Sequence, residues 1–515
     1  MDMVMGTGMS SKNSLLFAMS VAVAAGAHAQ ESGAGAGVKR TVTLVPRVSV
    51  SETLTDNVRL SSTGKQSEQI TEISPGIRLS IESARLKTFF DYSLSEVVYA
   101  QNSSPGRSQN ALNTFGTFEA VDNWAFLDFS GSISQQAISA FGTQSIGSTS
   151  INSNKTEVSN YRLSPYLRGR VGSLANYEAR LSRTLTQSDS AAGSGVATTD
   201  GSVKFSGGSG FRSLGWSADL SQQRVDYSAG RPTEVDQVNL GLSYALTSQL
   251  NVFASAGRES NNYTSIDKKA YDTSSVGLTW TPSEMTKLSA SQSHRSFGDG
   301  FALSLEHRTA RTVWRFSDSK DASATPSQAG IASLGTVYDL LYSQFASLQP
   351  NPVLRAQLVN TYLQANNISP TATVVTSSLT SAVSLQRRQD LSFVLLGVRD
   401  TVTFIATRNE STRLDTVSVG IDDFSSSSVV RQNGFNVNYA HRLTPDYSLG
   451  VLLSRQNTSG VLSTQDSRLQ SLNVSVSGKV GKQSSATLSA RRVVSSGITS
   501  SYGETAVTGN LNVQF

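Results

Sequence analysis

The chain has 515 residues, 38% of them hydrophobic and 16% charged, with no cysteine, and 43 Lys+Arg against 38 Asp+Glu leave a net charge of +5. Both shares fall below the roughly 45–50% apolar and roughly 25% charged of soluble globular proteins, while the small net charge argues against a disordered chain. The lack of cysteine excludes a disulfide scaffold and a thiolate metal site, and no run of about 20 apolar residues follows the first thirty positions, which excludes helical membrane spans there.

The first element read in chain order is a targeting segment. Lys12 precedes an apolar stretch from Leu15 to Ala25, and Ala27-His28-Ala29 supplies the small-x-small pattern of a signal-peptidase site. Residues 1–29 are therefore expected to be a signal peptide and residues 30–40, rich in Gly and Ala, a flexible linker. A secreted chain without cysteine points to a bacterium.

From Thr41 to Phe515 the dominant signal is alternation. Val42, Leu44, Val48 and Val50 share one parity; Thr43, Arg47, Ser49 and Ser51 hold the other. Leu86, Phe90, Tyr92 and Leu94 repeat the pattern, as do Tyr161, Leu163, Leu167 and Val171, which is the period of strands with one apolar face. Short links at 82–85, 121–123, 171–175, 246–249, 281–285, 397–400 and 443–446 alternate with longer Ser-, Asn-, Gly- and Asp-rich loops such as 54–67, 135–156, 187–199 and 411–428. Long-short alternation predicts an all-β, up-and-down antiparallel transmembrane barrel, whose apolar residues face lipid and whose polar residues face a wet lumen. That arrangement needs no apolar core, which accounts for the composition.

A further turn is expected at 307–311 and two less regular ones at 208–214 and 479–483, giving ten short turns and about 22 strands, within 20–24. Aromatics beside the short turns, Phe89, Phe90, Trp124, Phe126, Tyr177, Tyr244, Trp280, Trp314 and Tyr447, are candidates for an interfacial girdle. One segment breaks the period: Leu334, Val337, Leu341, Phe345 and Leu348, then Leu354, Leu358 and Tyr362, step by three and four. Residues 331–367 thus read as two helices, with Asn351-Pro352 as N-cap and first position of the second, inside an insertion at about 319–380. With a turn at 307–311 the insertion lies on the extracellular side, capping the mouth or folding into the lumen; with residues 300–318 as one strand it would be periplasmic. Val507, Leu511, Val513 and Phe515 close the chain in one apolar parity. An aromatic ending in that register resembles the signal by which outer-membrane barrels are taken up by their assembly machinery, a candidate partner here together with outer-membrane lipid.

No catalytic, cofactor-binding or metal-binding residue is assigned. His294, His307 and His441 lie in different strand regions without metal-pair spacing, and His294 with a nearby serine is the single nominal start of a Ser-His-acid site. Acid pairs such as Asp422-Asp423 lack the spacing of a calcium loop. The pI of about 9.2 reflects arginines spread along strands, so nucleic acid is not an expected partner.

The stretch Ser51-Glu52-Thr53-Leu54-Thr55-Asp56-Asn57-Val58 followed by Ile73-Ser74-Pro75-Gly76-Ile77-Arg78-Leu79 resembles the first strand pair of the PEP-CTERM system-associated outer-membrane proteins. His307-Arg308-Thr309-Ala310-Arg311-Thr312-Val313-Trp314, the helical insertion and Gly397-Val398-Arg399-Asp400-Thr401-Val402-Thr403 are similar to that family in the same order. The resemblance implies an outer-membrane barrel of a Gram-negative bacterium linked to exopolysaccharide synthesis and protein sorting, with no enzymatic activity and no catalytic residues to carry over. The resulting expectation is a channel or assembly scaffold for exopolysaccharide export, with Arg162, Arg168, Arg170, Arg180, Lys204 and Arg315 in the lumen; the alternative is a general diffusion porin. TonB-dependent uptake is disfavoured because strands are expected from Thr41, leaving no room for an N-terminal plug.

Overall fold

The structure is a computed structural model. It describes residues 41–515 apart from 190–194, 209–212, 229, 381, 416, 418–421, 499–500 and, within 324–379, all but Tyr342, Arg355 and Val359. The expected signal peptide, the linker and nearly all of the expected helical insertion lie outside the described residues.

Twenty-two strands follow in chain order. The first eleven are β1 (Thr41–Thr55), β2 (Glu68–Glu82), β3 (Leu86–Tyr99), β4 (Arg107–Val121), β5 (Ala125–Ala137), β6 (Lys155–Val171), β7 (Ala175–Ser188), β8 (Val196–Gly208), β9 (Leu214–Tyr227), β10 (Thr233–Ala245) and β11 (Leu250–Asn261). The second eleven are β12 (Lys269–Ser283), β13 (Thr286–Arg295), β14 (Gly298–Arg308), β15 (Thr312–Ser323), β16 (Ser384–Leu396), β17 (Asp400–Arg413), β18 (Val429–Arg442), β19 (Tyr447–Ser459), β20 (Ser467–Lys479), β21 (Ser484–Gly497) and β22 (Tyr502–Gln514). Each pairs antiparallel with the next, and β1 pairs with β22 from Arg47↔Gln514 to Thr55↔Ala506, so the sheet closes with no free edge. Closure lets every strand satisfy its backbone groups within the wall, the condition for crossing hydrocarbon, where an unpaired group costs several kcal/mol.

The ten expected short turns all occur, including the one at 309–311 between β14 and β15. Their conformations follow from local chemistry. Asn123 takes φ 56° in the β4–β5 turn and Gly172 φ 54° in the β6–β7 turn, the left-handed region those residue types tolerate. At 309–311, Thr309 N donates to Thr312 O at 2.7 Å, which separates β14 from β15 and puts the β15–β16 connection at the end opposite the short turns. β15 continues to Ser323, four residues past the expected start of the insertion.

Alternation sorts the side chains. Leu44, Leu163, Leu181, Leu240, Val276 and Leu488 point outward and are exposed, forming the apolar belt. Inward positions carry Ser, Thr, Asn and charge. Seven of the aromatics expected in the girdle have the outward parity or sit in a turn, and Trp124 Nε1 donates to Tyr177 Oη at 2.9 Å there. Phe89 and Phe126 do not belong to it. Phe89 is the inward neighbour of outward Phe90 and is 3% exposed, and Phe126 shares inward parity with Asp128 and is 7% exposed. Nearness to a turn suggested both, but strand parity decides the face.

Candidate functional site: the lumen and its mouth

The wall of β4–β8 sets charge against aromatic rings. All six basic residues expected in the lumen have inward parity. Arg180 bridges Asp128 at 2.8 Å and Glu178 at 3.1 Å, while its guanidinium lies 3.9 Å over the Tyr166 ring. Tyr166 stacks on Phe126 at 5.0 Å, and Arg168 covers Phe126 at 4.2 Å. The result is a four-layer stack, guanidinium–ring–ring–guanidinium, stiffened by cation–π attraction. Arg162 donates to Ser164 Oγ and Ser182 Oγ, both at 3.2 Å, and Arg315 pairs with Glu306. Arg162, Arg168 and Arg170 make no ion pair among the described residues and are exposed to the lumen. On β1–β3, Asp91 is shared by Arg47 and Arg78.

The wall from β18 to β1 is mostly hydroxyl and amide, with Arg491 and Glu504 paired to each other at 2.9 Å. Asn510 Nδ2 donates to Ser49 Oγ and Ser51 Oγ at 2.7 Å each, and Thr53 and Thr508 hydroxyls meet at 2.9 Å. Ser454 with Ser471 continues the hydroxyl ladder. Twenty-two strands enclose a space wider than wall side chains can fill, and these two unlike stretches of wall border it.

The mouth is not open. The loop between β5 and β6, residues 138–154, leaves the wall and crosses to the far side. Ala140 N donates to Asp423 Oδ2 at 2.7 Å and the Ser139 hydroxyl donates to the same carboxylate, which belongs to the helical turn Asp423–Ser426 after β17. Counting through the β1–β22 closure, β5 and β17 lie ten strands apart, close to a diameter. On the way Tyr502 Oη donates to Gln144 O at 2.6 Å, Tyr99 Oη to Thr149 O at 2.8 Å, and Ile151 N to Val58 O at 2.8 Å. Apolar contacts fix the crossing. Ile146 packs with Leu60, Leu469, Val493 and Tyr502; Ile151 packs with Val58, Ile70, Val97 and Tyr99; Phe141 packs with Ala382, Phe424 and Val430.

Two more segments complete the closure. Val383, fully buried, ends the β15–β16 connection against Val196, Val225, Tyr227, Val235 and Tyr263 of β8–β11 and the loop after it. Arg231, in the β9–β10 loop, pairs with Asp415 at 3.5 Å. Within the β15–β16 connection Tyr342, Arg355 and Val359 are helical, and the Tyr342 ring lies 6.1 Å from inward Phe115, which stacks on Phe89 at 5.4 Å. That contact puts Tyr342 inside the lumen, and it gives inward Phe89 its role. The other expected positions of the two helices lie outside the described residues.

Asp423 is the electrostatic centre of the crossing. Burial pushes its carboxyl above the usual carboxylate range, against the Ser139 and Ala140 hydrogen bonds that favour the charged form and with Asp422 beside it adding to the rise. Asp422 itself caps the helical turn through Phe424 N and accepts from Thr380 Oγ1 at 3.1 Å. Nothing local in the sequence reveals this clasp, because its halves are 283 residues apart.

The histidines face outward. His294 Nδ1 meets Asp299 Oδ1 at 2.8 Å, His441 Nδ1 meets Asp400 Oδ1 at 2.7 Å, and His307 Nδ1 meets Thr286 Oγ1 at 2.9 Å. Ser274 sits opposite His294 in the β12–β13 ladder without hydrogen-bonding it, so the structure does not assemble the nominal Ser-His-acid site. Among the described residues no group of three His, Asp or Glu is placed to hold a metal ion.

No protein-family model matches the chain, and no curated protein does. Among solved structures it is similar to the siderophore receptor PirA from Pseudomonas aeruginosa, at 8% identity and TM-score 0.43 over 91% of this chain and 80% of that one. PirA from Acinetobacter baumannii gives 9% and 0.45 over 93% and 81%. The FrpB iron transporter from Neisseria meningitidis gives 10% and 0.48 over 92% and 81%. Likeness at this level concerns the barrel outline and carries nothing about cargo.

Proposed function

We propose that this chain spans the outer membrane of a Gram-negative bacterium as a PEP-CTERM system-associated barrel and serves the passage or surface assembly of exopolysaccharide, with its mouth shut at rest. The observation that carries the reading is the 138–154 loop drawn across a wide, hydrophilic lumen and clasped by Asp423. A general diffusion porin needs the same wall but an open mouth, so the crossing counts against it. The lumen chemistry fits a sugar polymer. The wall from β18 to β1 offers hydroxyls and amides to sugar hydroxyls, while Arg162, Arg168 and Arg170 attract carboxylate or phosphate groups of an acidic chain without tight binding. In this reading the described residues bind and orient polymer, and the site performs no bond-making chemistry.

The test is single-channel conductance of the refolded barrel in a planar bilayer, beside a variant that lacks residues 326–378 and carries a short Gly-Ser link in place of residues 140–152. Silence in the intact protein and large, noisy conductance in the variant are expected. A polyuronate should then block the variant's current more strongly than neutral dextran, with the difference reduced in Arg168→Gln/Arg170→Gln. Steady conductance of the intact protein would return the porin reading, and silence in both proteins would leave a scaffold that does not conduct.

A further inference from the structure

The outer wall carries a charge asymmetry that the lumen does not explain. Strands β16 to β21 each send one arginine outward: Arg387, Arg408, Arg431, Arg455, Arg468 and Arg492. Their positions follow the edge of the apolar belt. Arg408 and Arg455 come directly above Ala406 and Leu453, the last apolar outward residues of their strands, while Arg492 lies between outward Ala490 and Val494. The other three come two outward positions above Leu391, Phe435 and Leu472. Guanidiniums at that height reach headgroup depth while their stems lie along the belt. On β1, β3 and β6 the corresponding outward positions hold Glu52, Glu96 and Glu157 instead.

The arc is under-neutralised. Arg387 pairs with Asp318 at 3.3 Å, Glu410 serves both Arg431 at 3.2 Å and Arg408 at 3.9 Å, and Arg492 reaches Asp56 at 3.9 Å, three carboxylates for six arginines. Arg455 and Arg468 have no carboxylate partner among the described residues; both Nε atoms donate to the single oxygen Asn457 Oδ1, at 3.4 and 3.2 Å. The shared amide oxygen brings two like charges together and occupies only their Nε groups. A guanidinium pair in that arrangement matches a phosphate, which accepts bidentate hydrogen bonds from each.

We propose that the outward face of β16–β21 is a binding site for phosphorylated glycolipid headgroups of the surrounding outer leaflet, with Arg455, Asn457 and Arg468 at its centre. The proposal rests on the membrane-spanning reading above. Lipid is favoured over a second copy of the chain because the arc runs across six adjacent strands in the loop-side part of the outward face, the level at which a membrane-spanning wall meets headgroups. The site orients the barrel's neighbours in the leaflet and adds affinity of about fivefold per arginine.

The test uses the full-length chain folded in phosphatidylcholine vesicles doped with bisphosphorylated lipid A, with the same lipid stripped of both phosphates, or with phosphatidylglycerol. Insertion is read first, from heat-modifiable electrophoretic migration, and retained lipid second, by native mass spectrometry after extraction. Preferential retention of bisphosphorylated lipid A is expected. Arg431→Gln/Arg455→Gln/Arg468→Gln should weaken it about a hundredfold, Lys at the same three positions should keep most of it, and the charge-matched Arg183→Gln/Arg224→Gln/Lys268→Gln on the other side should leave it unchanged. Equal retention of the dephosphorylated lipid, equal retention of phosphatidylglycerol, or an unaffected triple Gln variant would each overturn the site. So would cross-links joining the arc to the Glu52, Glu96 and Glu157 side of a second barrel without lipid. Failure of the wild-type chain to insert would instead remove the membrane reading, whereas insertion without retention removes this inference alone.

Discussion

The two ends of the barrel solve the same problem differently. At the end with the short turns, links close on themselves: Thr444 N donates to Tyr447 O at 3.1 Å, and Thr247 and Thr309 do the same in their own turns. At the other end the 138–154 loop finds its partners on β3, β22 and the segment after β17. A turn that satisfies its own backbone stays where the strands put it. A loop that must borrow partners from across the lumen closes the lumen while satisfying itself, and it opens when the partners are withdrawn.

The largest expected effect is to remove that difference. A variant with residues 140–152 replaced by a short Gly-Ser link should keep the barrel and turn a silent pore into a conducting one, read by planar-bilayer recording. Continued silence would assign the closure to the β15–β16 connection alone. Next comes Asp423→Ala, which strands the Ser139 hydroxyl and the Ala140 amide in a buried place. The loss of about 1–3 kcal/mol should raise the open fraction about 5- to 150-fold.

A smaller effect follows from the Asp423 carboxyl. Its value in the closed state stands above the unfolded one because of burial, so closure takes up a proton. The added stability is fully present below the ordinary carboxylate range and is lost as pH rises through the elevated value. The mouth should therefore open more often at neutral pH than near pH 4, and Asp423→Asn, which keeps acceptor and donor without the charge, should flatten the profile. The smallest effect belongs to the other end. Asn123→Gly in the β4–β5 turn, at φ 56°, should shift stability by under about 1 kcal/mol and leave conductance untouched. A change in gating from that substitution would contradict the separation of the two ends.

Much of the wall was legible because its rules are local. Strand parity placed Arg162, Arg168 and Arg170 inward, and turn chemistry located all ten short links. Where nearness to a turn and strand parity disagree, parity decides: Phe89 and Phe126 lie near turns yet face inward, and of the neighbours Phe89 and Phe90 only one can face out. His294, in phase with Leu288 and Ala290, was equally readable as outward. The arc of arginines needed the register of six strands before it became a row.

By itself the sequence determined the strand period, the turns, the count of 22 and which side chains face water, since each depends on residues within a few positions of one another. Tertiary structure alone decided where the loops go. Asp423 is an ordinary acidic loop residue until the closing of β1 on β22 brings the segment after β17 within reach of Ala140. Whether the lumen is open therefore depends on contacts made across the ring, and no periodicity along the chain encodes the distance between opposite walls.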